Sequence, residues 1–284
     1  MLNLNTKLRM LEENRKTIRV GIVGAGQMGK GLVSQIKCMH GMKTVILANR
    51  TLQKAVDAYK LANIPEENIT IAKNSAEAQQ AIIKGNYVAC EDYLTVCECP
   101  YVDVVVDATG ITDTGALIAQ SAIENGKHII MLNVETDVTI GHILKYNADR
   151  AGVIYSASSG DEPGAVKELY DFADAIGFDI KVIGKGKNNK VDLGCNPDTV
   201  YEEATKRGIA PKMLASFKDG TKTMVEMTCM SNSTGFLPDV RGAHGVKANV
   251  NDICDILCLK SEGGVLNSYR TVEYVDGLAP GVFV

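Results

Sequence analysis

The sequence predicts an α/β chain: a doubly wound parallel sheet over residues 1–157, then a smaller α+β domain over residues 158–284. Three observations predict it. The apolar run Ile18–Val23 leads straight into Gly24-x-Gly26-x-x-Gly29, and a helix-forming segment follows. From residue 18 to about residue 157, strand-like and helix-like stretches alternate, the pattern of parallel strands joined by crossover helices. Tyr101–Val106 reads as a continuous apolar strand, as expected where helices cover both faces of a sheet.

In chain order, Met1–Lys16 reads as an amphipathic lead-in helix with Leu2, Leu4, Leu8 and Leu11 on one side. Gly29–Cys38 is the first crossover helix, Thr44–Ala48 the next strand and Leu52–Leu61 the second helix. Glu77–Lys84 is helical and Tyr87–Asp92 is a short strand. Tyr101–Val106 stops at Asp107-Ala108-Thr109-Gly110, and Gly115–Asn125 is the helix after it. His128–Leu132 is a strand ending at Asn133-Val134-Glu135, Val138–Ala151 is helical, and Val153–Tyr155 closes the sheet. In the second domain Asp161-Glu162-Pro163-Gly164 introduces a helix over Ala165–Ile176, with the proline near its start. A strand, Phe178–Ile183, runs into a turn over Gly184–Lys190, whose glycines and lysines suit an anionic ligand. Tyr201–Arg207 is a helix, Ser216–Lys222 a hairpin or loop, and Arg241–Gly245 a glycine-rich polar loop. The chain ends in the strand-like run Ala279–Val284 and is expected to continue beyond it.

The glycine turn carries chemistry. Strand, tight turn and helix in this order form the dinucleotide-binding fingerprint of a Rossmann domain. Gly24 permits the turn, Gly26 lets a pyrophosphate approach the backbone, and Gly29 lets helix and strand pack closely. The helix N-terminus, with Gln27 and Met28, offers N–H groups to phosphate. About 20 residues past the last glycine the ribose-reading position arrives. It holds Asn49, with Arg50 and Thr51 beside it, where NAD-specific domains place a carboxylate. A guanidinium pairs with a 2′-phosphate that a carboxylate would repel, so NADP(H) is the expected cofactor. Ligands sit beyond the carboxyl ends of such strands, which adds Ala108, Thr109, Gly110, Asn133 and Glu135 to the cofactor cleft.

Composition narrows the class. Of the 284 residues 45% are hydrophobic and 23% charged, ordinary for a globular protein, and a net charge of −4 gives no footprint for nucleic acid. No apolar run approaches the roughly 20 residues that cross a bilayer. The N-terminus lacks the apolar core of a signal peptide, so a cytoplasmic location is expected. The close cysteine pairs, Cys97-x-Cys99 and Cys254-x-x-x-Cys258, lack zinc-site spacing, and reduced thiols are expected.

The chain resembles homoserine-dehydrogenase-like oxidoreductases, in the branch that usually carries a C-terminal SAF-type domain. That branch includes reductoisomerase-like enzymes that stand in for 1-deoxyxylulose-5-phosphate reductoisomerase in some bacteria. The residues that carry the resemblance are Val20–Gly31, Ala48–Leu52, Asp103–Gly110, His128–Asp137, Ser158–Gly164, Ser216–Glu226 and Ala279–Val284. Asp219-Gly220-Thr221-Lys222 with Glu226, and the Gly-Lys segment, are its more specific parts. The resemblance implies NADPH-dependent reduction of a small hydroxy-carbonyl compound, phosphorylated in the reductoisomerase-like case, by a homodimer. It makes residues 158–284 the substrate and dimerisation domain, cut short before a SAF-type domain. The aspartate-rich substrate segment of homoserine dehydrogenases has no counterpart in this chain.

Such chemistry needs a group to stabilise or protonate the developing alkoxide. Lys185, Lys187 and Lys222 are the candidates, and Lys187 and Lys222 are favoured because each is expected in a glycine-bounded loop; Glu226 joins them as a catalytic residue. Lys185, Asn188 and Arg241 are placed at the substrate, with Lys190 as a further phosphate partner and His244 as a further proton donor. Reductoisomerisation also needs a divalent metal, Mg²⁺ or Mn²⁺, on hard carboxylates. Asp161 and Glu162, with Glu226, are the best-placed acids, although Asp161 and Glu162 also suit the following helix N-terminus. Two alternatives stand beside this reading: a metal-independent sugar-acid or semialdehyde dehydrogenase, and a non-catalytic NADP-binding regulatory protein.

Overall fold

The computed structural model describes residues 3–279 and 281–284. They form two compact units, divided between Ser158 and Ser159.

In the first unit α1 (Leu4–Glu13) precedes β1 (Ile18–Val23), α2 (Gln27–Lys37), β2 (Met42–Ala48) and α3 (Leu52–Leu61). There follow β3 (Ile69–Ile71), α4 (Ser75–Ile83), β4 (Tyr87–Cys90), α5 (Tyr93–Cys97) and β5 (Val104–Asp107). α6 (Thr112–Glu124), β6 (His128–Met131), α7 (Val134–Ala151) and β7 (Tyr155–Ala157) complete it. The seven strands are parallel in the order β3-β4-β2-β1-β5-β6-β7, a Rossmann sheet. Both faces are covered, which is why the strands are apolar at successive positions. Ile46 packs with Val88, Val105 and Ile118, while its neighbour Leu47 packs with Ile22, Val33 and Tyr59 on the other face. Of the lead-in helix Leu8 is buried and Leu4 exposed, and Leu2 lies outside the described residues.

Several boundaries in this unit differ from the sequence reading: α7 begins at Val134 rather than Val138, α6 at Thr112 rather than Gly115, and β3 was not expected. The strand expected from Tyr101 begins at Val104, because Asp103 is drawn into a fork with Arg19, whose Nε and backbone N–H reach Oδ2 at 3.0 and 2.8 Å. The last strand starts at Tyr155 rather than Val153, where it pairs with Ile129. Helix α5 was hidden behind the expected strand end at Asp92, whose carboxylate instead caps it through the Leu94 N–H at 3.0 Å.

The second unit holds α8 (Glu162–Ala175), β8 (Val182–Lys187), α9 (Tyr201–Arg207), α10 (Pro211–Lys218) and α11 (Thr221–Thr234). β9 (Val246–Lys247), α12 (Ile253–Ile256), β10 (Thr271–Asp276) and β11 (Val282–Phe283) follow. Its four-stranded sheet runs β11-β8-β10-β9, with β11 antiparallel to β8. Pro280, within the expected strand-like ending, lies outside the described residues.

Two expectations are corrected here. Gly184-Lys185-Gly186-Lys187 is not an anion-binding turn but the last four residues of β8, all buried. The glycines serve close strand packing: a Cβ on Gly184 would lie 1.9 Å from the Glu273 carbonyl oxygen, and one on Gly186 2.3 Å from Leu278. Glycine and lysine alternate with the period of a strand, so the lysines share one face. Ser216–Lys222 is not a hairpin or loop but the end of α10, a two-residue turn and the start of α11. Gly220 makes that turn at φ +89°, and Asp219 accepts the Thr221 N–H at 2.7 Å. Among the described residues no helix is long and apolar enough to cross a membrane.

Candidate active site

In the first unit β1 delivers the chain to Gly24 at φ +108°, where a Cβ would stand 2.6 Å from the Ala108 carbonyl oxygen. Gly29 packs so closely on the turn that a Cβ would lie 1.9 Å from the Gly24 carbonyl oxygen. Gly26 differs, because nothing lies within 4 Å of its Cβ position. Gly26, Gln27 and Met28 are exposed, and no side chain caps α2. An open helix N-terminus behind a tight glycine turn fits a pyrophosphate. Asn49 accepts the Ala25 N–H through Oδ1 at 3.0 Å and donates from Nδ2 to the Thr51 carbonyl at 2.9 Å. It ties the end of β2 to the glycine turn, and a carboxylate lacks the donor for Thr51. The missing acid thus has a structural reason, and Arg50 beside it is exposed.

The other strand ends converge on a carboxyl that the sequence reading passed over. Asp107, fully buried at the end of β5, accepts the Thr109 N–H and Oγ1 at 2.9 and 2.7 Å on one oxygen. Its other oxygen accepts Asn133 Nδ2 at 3.0 Å. Burial pushes the Asp107 carboxyl up, against the pull of these hydrogen bonds. Asn133 also donates to the Ile111 carbonyl at 3.0 Å and caps α7, whose first turn holds Glu135. Thr109 and Asn133 are therefore braces of the loop that ends in exposed Gly110. A Cβ on Gly115 would lie 2.3–2.5 Å from Thr136 Oγ1, Asn133 Nδ2 and Asp107 Oδ2. Gly115→Ala should cost about 2 kcal/mol of stability by overpacking this polar knot. Urea denaturation checks it; a loss under about 0.5 kcal/mol would mean that the knot has room to yield.

The second unit gathers charge. Asp161 caps α8, accepting the Glu162 N–H at 3.1 Å, and Pro163 sits in the first turn. Lys185 rises from β8 and donates from Nζ to Glu162 Oε1 at 2.8 Å and to Glu226 Oε2. The Lys185 side chain is 9% exposed and that of Glu226 4%. One carboxylate oxygen each of Asp161, Glu162 and Glu226 lies within 4.8 Å of the others. Lys222 stands one helical turn before Glu226 and draws electrostatically on both Asp161 and Glu226.

The protonation states follow from these contacts. Burial lowers the Lys185 ammonium, but Glu162 and Glu226 outweigh it and hold Lys185 above its usual value. Burial pushes Glu162 up, yet its bonds with Asp161 and Lys185 outweigh that and lower it from its usual value. Asp161 is raised by burial and by Glu162, and Glu226 by burial against the pull of Lys185. Burial and the charge of Lys185 lower Lys187, whose Nζ donates to the Phe217 carbonyl at 2.7 Å.

Lys185, expected at the substrate, is thus an ion-pair partner of two of the acids. Lys187 is braced on α10, Lys222 opens α11, and Glu226 and Lys185 are paired. Asn188 and Arg241 are exposed, and among the described residues neither bonds to the carboxylates. His244 is held by two acids that the sequence reading missed. Asp239 receives its Nε2 at 2.7 Å, and fully buried Glu273 receives its backbone N–H at 3.0 Å. The signal for Glu273 was an acid between Val272 and Tyr274 in β10.

Residues 160–284 match the family described as "Oxidoreductase DRL, catalytic domain". Residues 7–88 match the family "Shikimate / quinate 5-dehydrogenase". Both matches are to domains of oxidoreductases or dehydrogenases, one in each unit. Similar solved structures include an NAD binding oxidoreductase from Klebsiella pneumoniae (18% identity, 64% of this chain and 44% of that chain, TM-score 0.44). A biliverdin reductase with biliverdin and NADP+ from Synechocystis is similar at 16% identity, over 61% of this chain and 48% of that one, TM-score 0.41. So is a scyllo-inositol dehydrogenase from Lactobacillus casei with NAD(H) and scyllo-inositol, at 19%, 67% and 49%, TM-score 0.43. The chain thus spans about half the length, or less, of these relatives. Among curated proteins no sequence matches it.

Three carboxylates converging in the second unit are hard oxygen donors of the kind Mg²⁺ and Mn²⁺ take. The donor set fits such a cation, and Asp161, Glu162 and Glu226 would hold it.

Proposed function

We propose that this chain reduces a small hydroxy-carbonyl substrate with NADPH, as a reductoisomerase that converts 1-deoxyxylulose 5-phosphate to methylerythritol 4-phosphate. The observation that carries the reading is the meeting of Asp161, Glu162 and Glu226 around Lys185, inside the segment that matches the oxidoreductase catalytic domain. NADPH would supply the hydride, and a divalent cation held by Asp161, Glu162 and Glu226 would supply Lewis-acid polarisation of the substrate.

The chain's own residues do the rest. The open N-terminus of α2 takes the pyrophosphate, and exposed Arg50 pairs with the 2′-phosphate. Lys187 keeps one proton on the Phe217 carbonyl and has two more to offer, and burial makes it the readier proton donor. Lys222 adds positive charge beside the acids. The working form is proposed to be a homodimer, and Arg241 and Asn188 to be the contacts for a substrate phosphate.

The test is NADPH consumption with 1-deoxyxylulose 5-phosphate, with and without Mg²⁺ or Mn²⁺. Metal-dependent oxidation upholds the reading. Turnover of another hydroxy-carbonyl compound that EDTA leaves unchanged replaces it with a metal-independent dehydrogenase. Tight NADPH binding without turnover of any substrate replaces it with a regulatory protein.

Cofactor choice has its own test. Arg50→Ala should raise the KM for NADPH at least about tenfold and leave that for NADH within about twofold, because only the 2′-phosphate loses a partner. Equal effects on both cofactors would remove Arg50 from the 2′-phosphate.

A further inference from the structure

Lys185 is placed with unusual firmness for a lysine. Its backbone lies in β8, which pairs with β10 on one side and β11 on the other. Glycine neighbours let those strands and residues 278–279 close in on it. The first turn of α8 and the second turn of α11 bring Glu162 and Glu226 to the same Nζ, from 23 residues before it and 41 after it in the chain. Three carboxylates with oxygens within 4.8 Å of one another repel, and the Lys185 ammonium bonds two of these carboxylates.

An ammonium and a divalent cation ask for the same thing, ionised oxygens at short range. They differ in charge and in geometry: the ammonium gives three directed N–H donors, the metal a point charge of two. We infer that Lys185 is the built-in counter-ion of the carboxylate cluster: it gathers Glu162 and Glu226 and competes with a divalent metal for their oxygens, setting how tightly the metal is held. The inference rests on the metal reading above, and it assigns Lys185 a positioning role rather than contact with substrate. Lys222 draws on Asp161 and Glu226 from α11, so cationic charge remains beside the cluster when Lys185 is neutralised.

The experiment measures Mn²⁺ binding to the EDTA-treated whole chain by calorimetry and by the electron paramagnetic resonance of free Mn²⁺. Lys185→Met keeps the length of the stem and removes the charge; Lys185→Arg keeps the charge. Lys185→Met is expected to bind Mn²⁺ at least tenfold more tightly than the unaltered chain, and to gain a larger rise in Tm from it. Lys185→Arg should stay within about threefold of the unaltered chain. Unchanged or weaker binding by Lys185→Met overturns the inference while the metal reading stands. Binding by Lys185→Met but not by the unaltered chain upholds the inference and overturns the metal reading. Absence of binding to either overturns both. Should Lys185→Met fold only with Mn²⁺ present, the metal has replaced the ammonium, as inferred. Failure to fold in Mn²⁺ as well overturns it.

Discussion

Glu226→Ala is expected to lower the stability of the second unit by about 3 kcal/mol, a fall in Tm of about 10 °C, and to abolish turnover. The cause is the partner left behind. Lys185 has only 9% of its side chain exposed, so removing Glu226 strips one of its two carboxylates with no water to replace it. Glu162 stays at 2.8 Å, which keeps the loss at the low end for a broken buried pair. Glu226→Gln separates stability from chemistry. The amide carbonyl still accepts from the ammonium, so it should lose only about 1 kcal/mol. The charge is gone, and turnover should drop by about 100-fold or more if the carboxylate serves the reaction. Thermal melts and initial rates on the two variants decide it. Should Glu226→Gln keep more than a tenth of the activity, Glu226 is a structural partner of Lys185 and no more.

Gly29→Ala is the second large effect, and it strikes the first unit. The added methyl would stand 1.9 Å from the Gly24 carbonyl oxygen, a backbone atom that cannot swing aside. Either α2 backs away from β1 or the glycine turn opens. The first loses packing of Val33 and Ile36 in the core, and the second moves the N–H groups meant for phosphate. About 2–3 kcal/mol of stability should go, and NADPH affinity should fall by about 100-fold. Gly26→Ala is the control. Nothing lies within 4 Å of its Cβ position, so stability should hold within about 1 kcal/mol while affinity still falls, the methyl meeting only the bound phosphate. Fluorescence titration with NADPH beside urea denaturation reads both. Equal affinity in all three proteins would remove this turn from the cofactor site.

Legibility in the sequence followed the range of the interactions. Leu52–Leu61 and Tyr201–Arg207 are helices with the ends that local pattern gave them. The glycine turn was readable because its three glycines act within six residues of one another. Gly184–Lys187 was misread because glycine means two things. In a turn it supplies φ freedom, and in a strand it lets a neighbouring backbone come close. Only the approach of Glu273 and Leu278 selects the second. Ser216–Lys222 was misread because Asp219-Gly220 breaks one helix and starts another within two residues.

The acids show the same division. Asp161, Glu162 and Glu226 could be named as carboxylates near glycine and proline. Their convergence, with Glu162 and Glu226 on one lysine, depends on α8, β8 and α11 packing together. Asp107 read only as the polar residue at which a strand stops, and Glu273 carried no expectation; burial made them the anchors of Thr109, Asn133 and His244. The sequence by itself determined the alternating α/β order, the nucleotide turn and the absence of an acid at Asn49, since each is set by neighbours along the chain. Tertiary structure alone decided why Asn49 is an amide, that Lys185 faces acids rather than solvent, and which carboxylates share a charge. Those outcomes depend on distances between residues far apart in sequence, and on burial, which makes each unpaired charge costly.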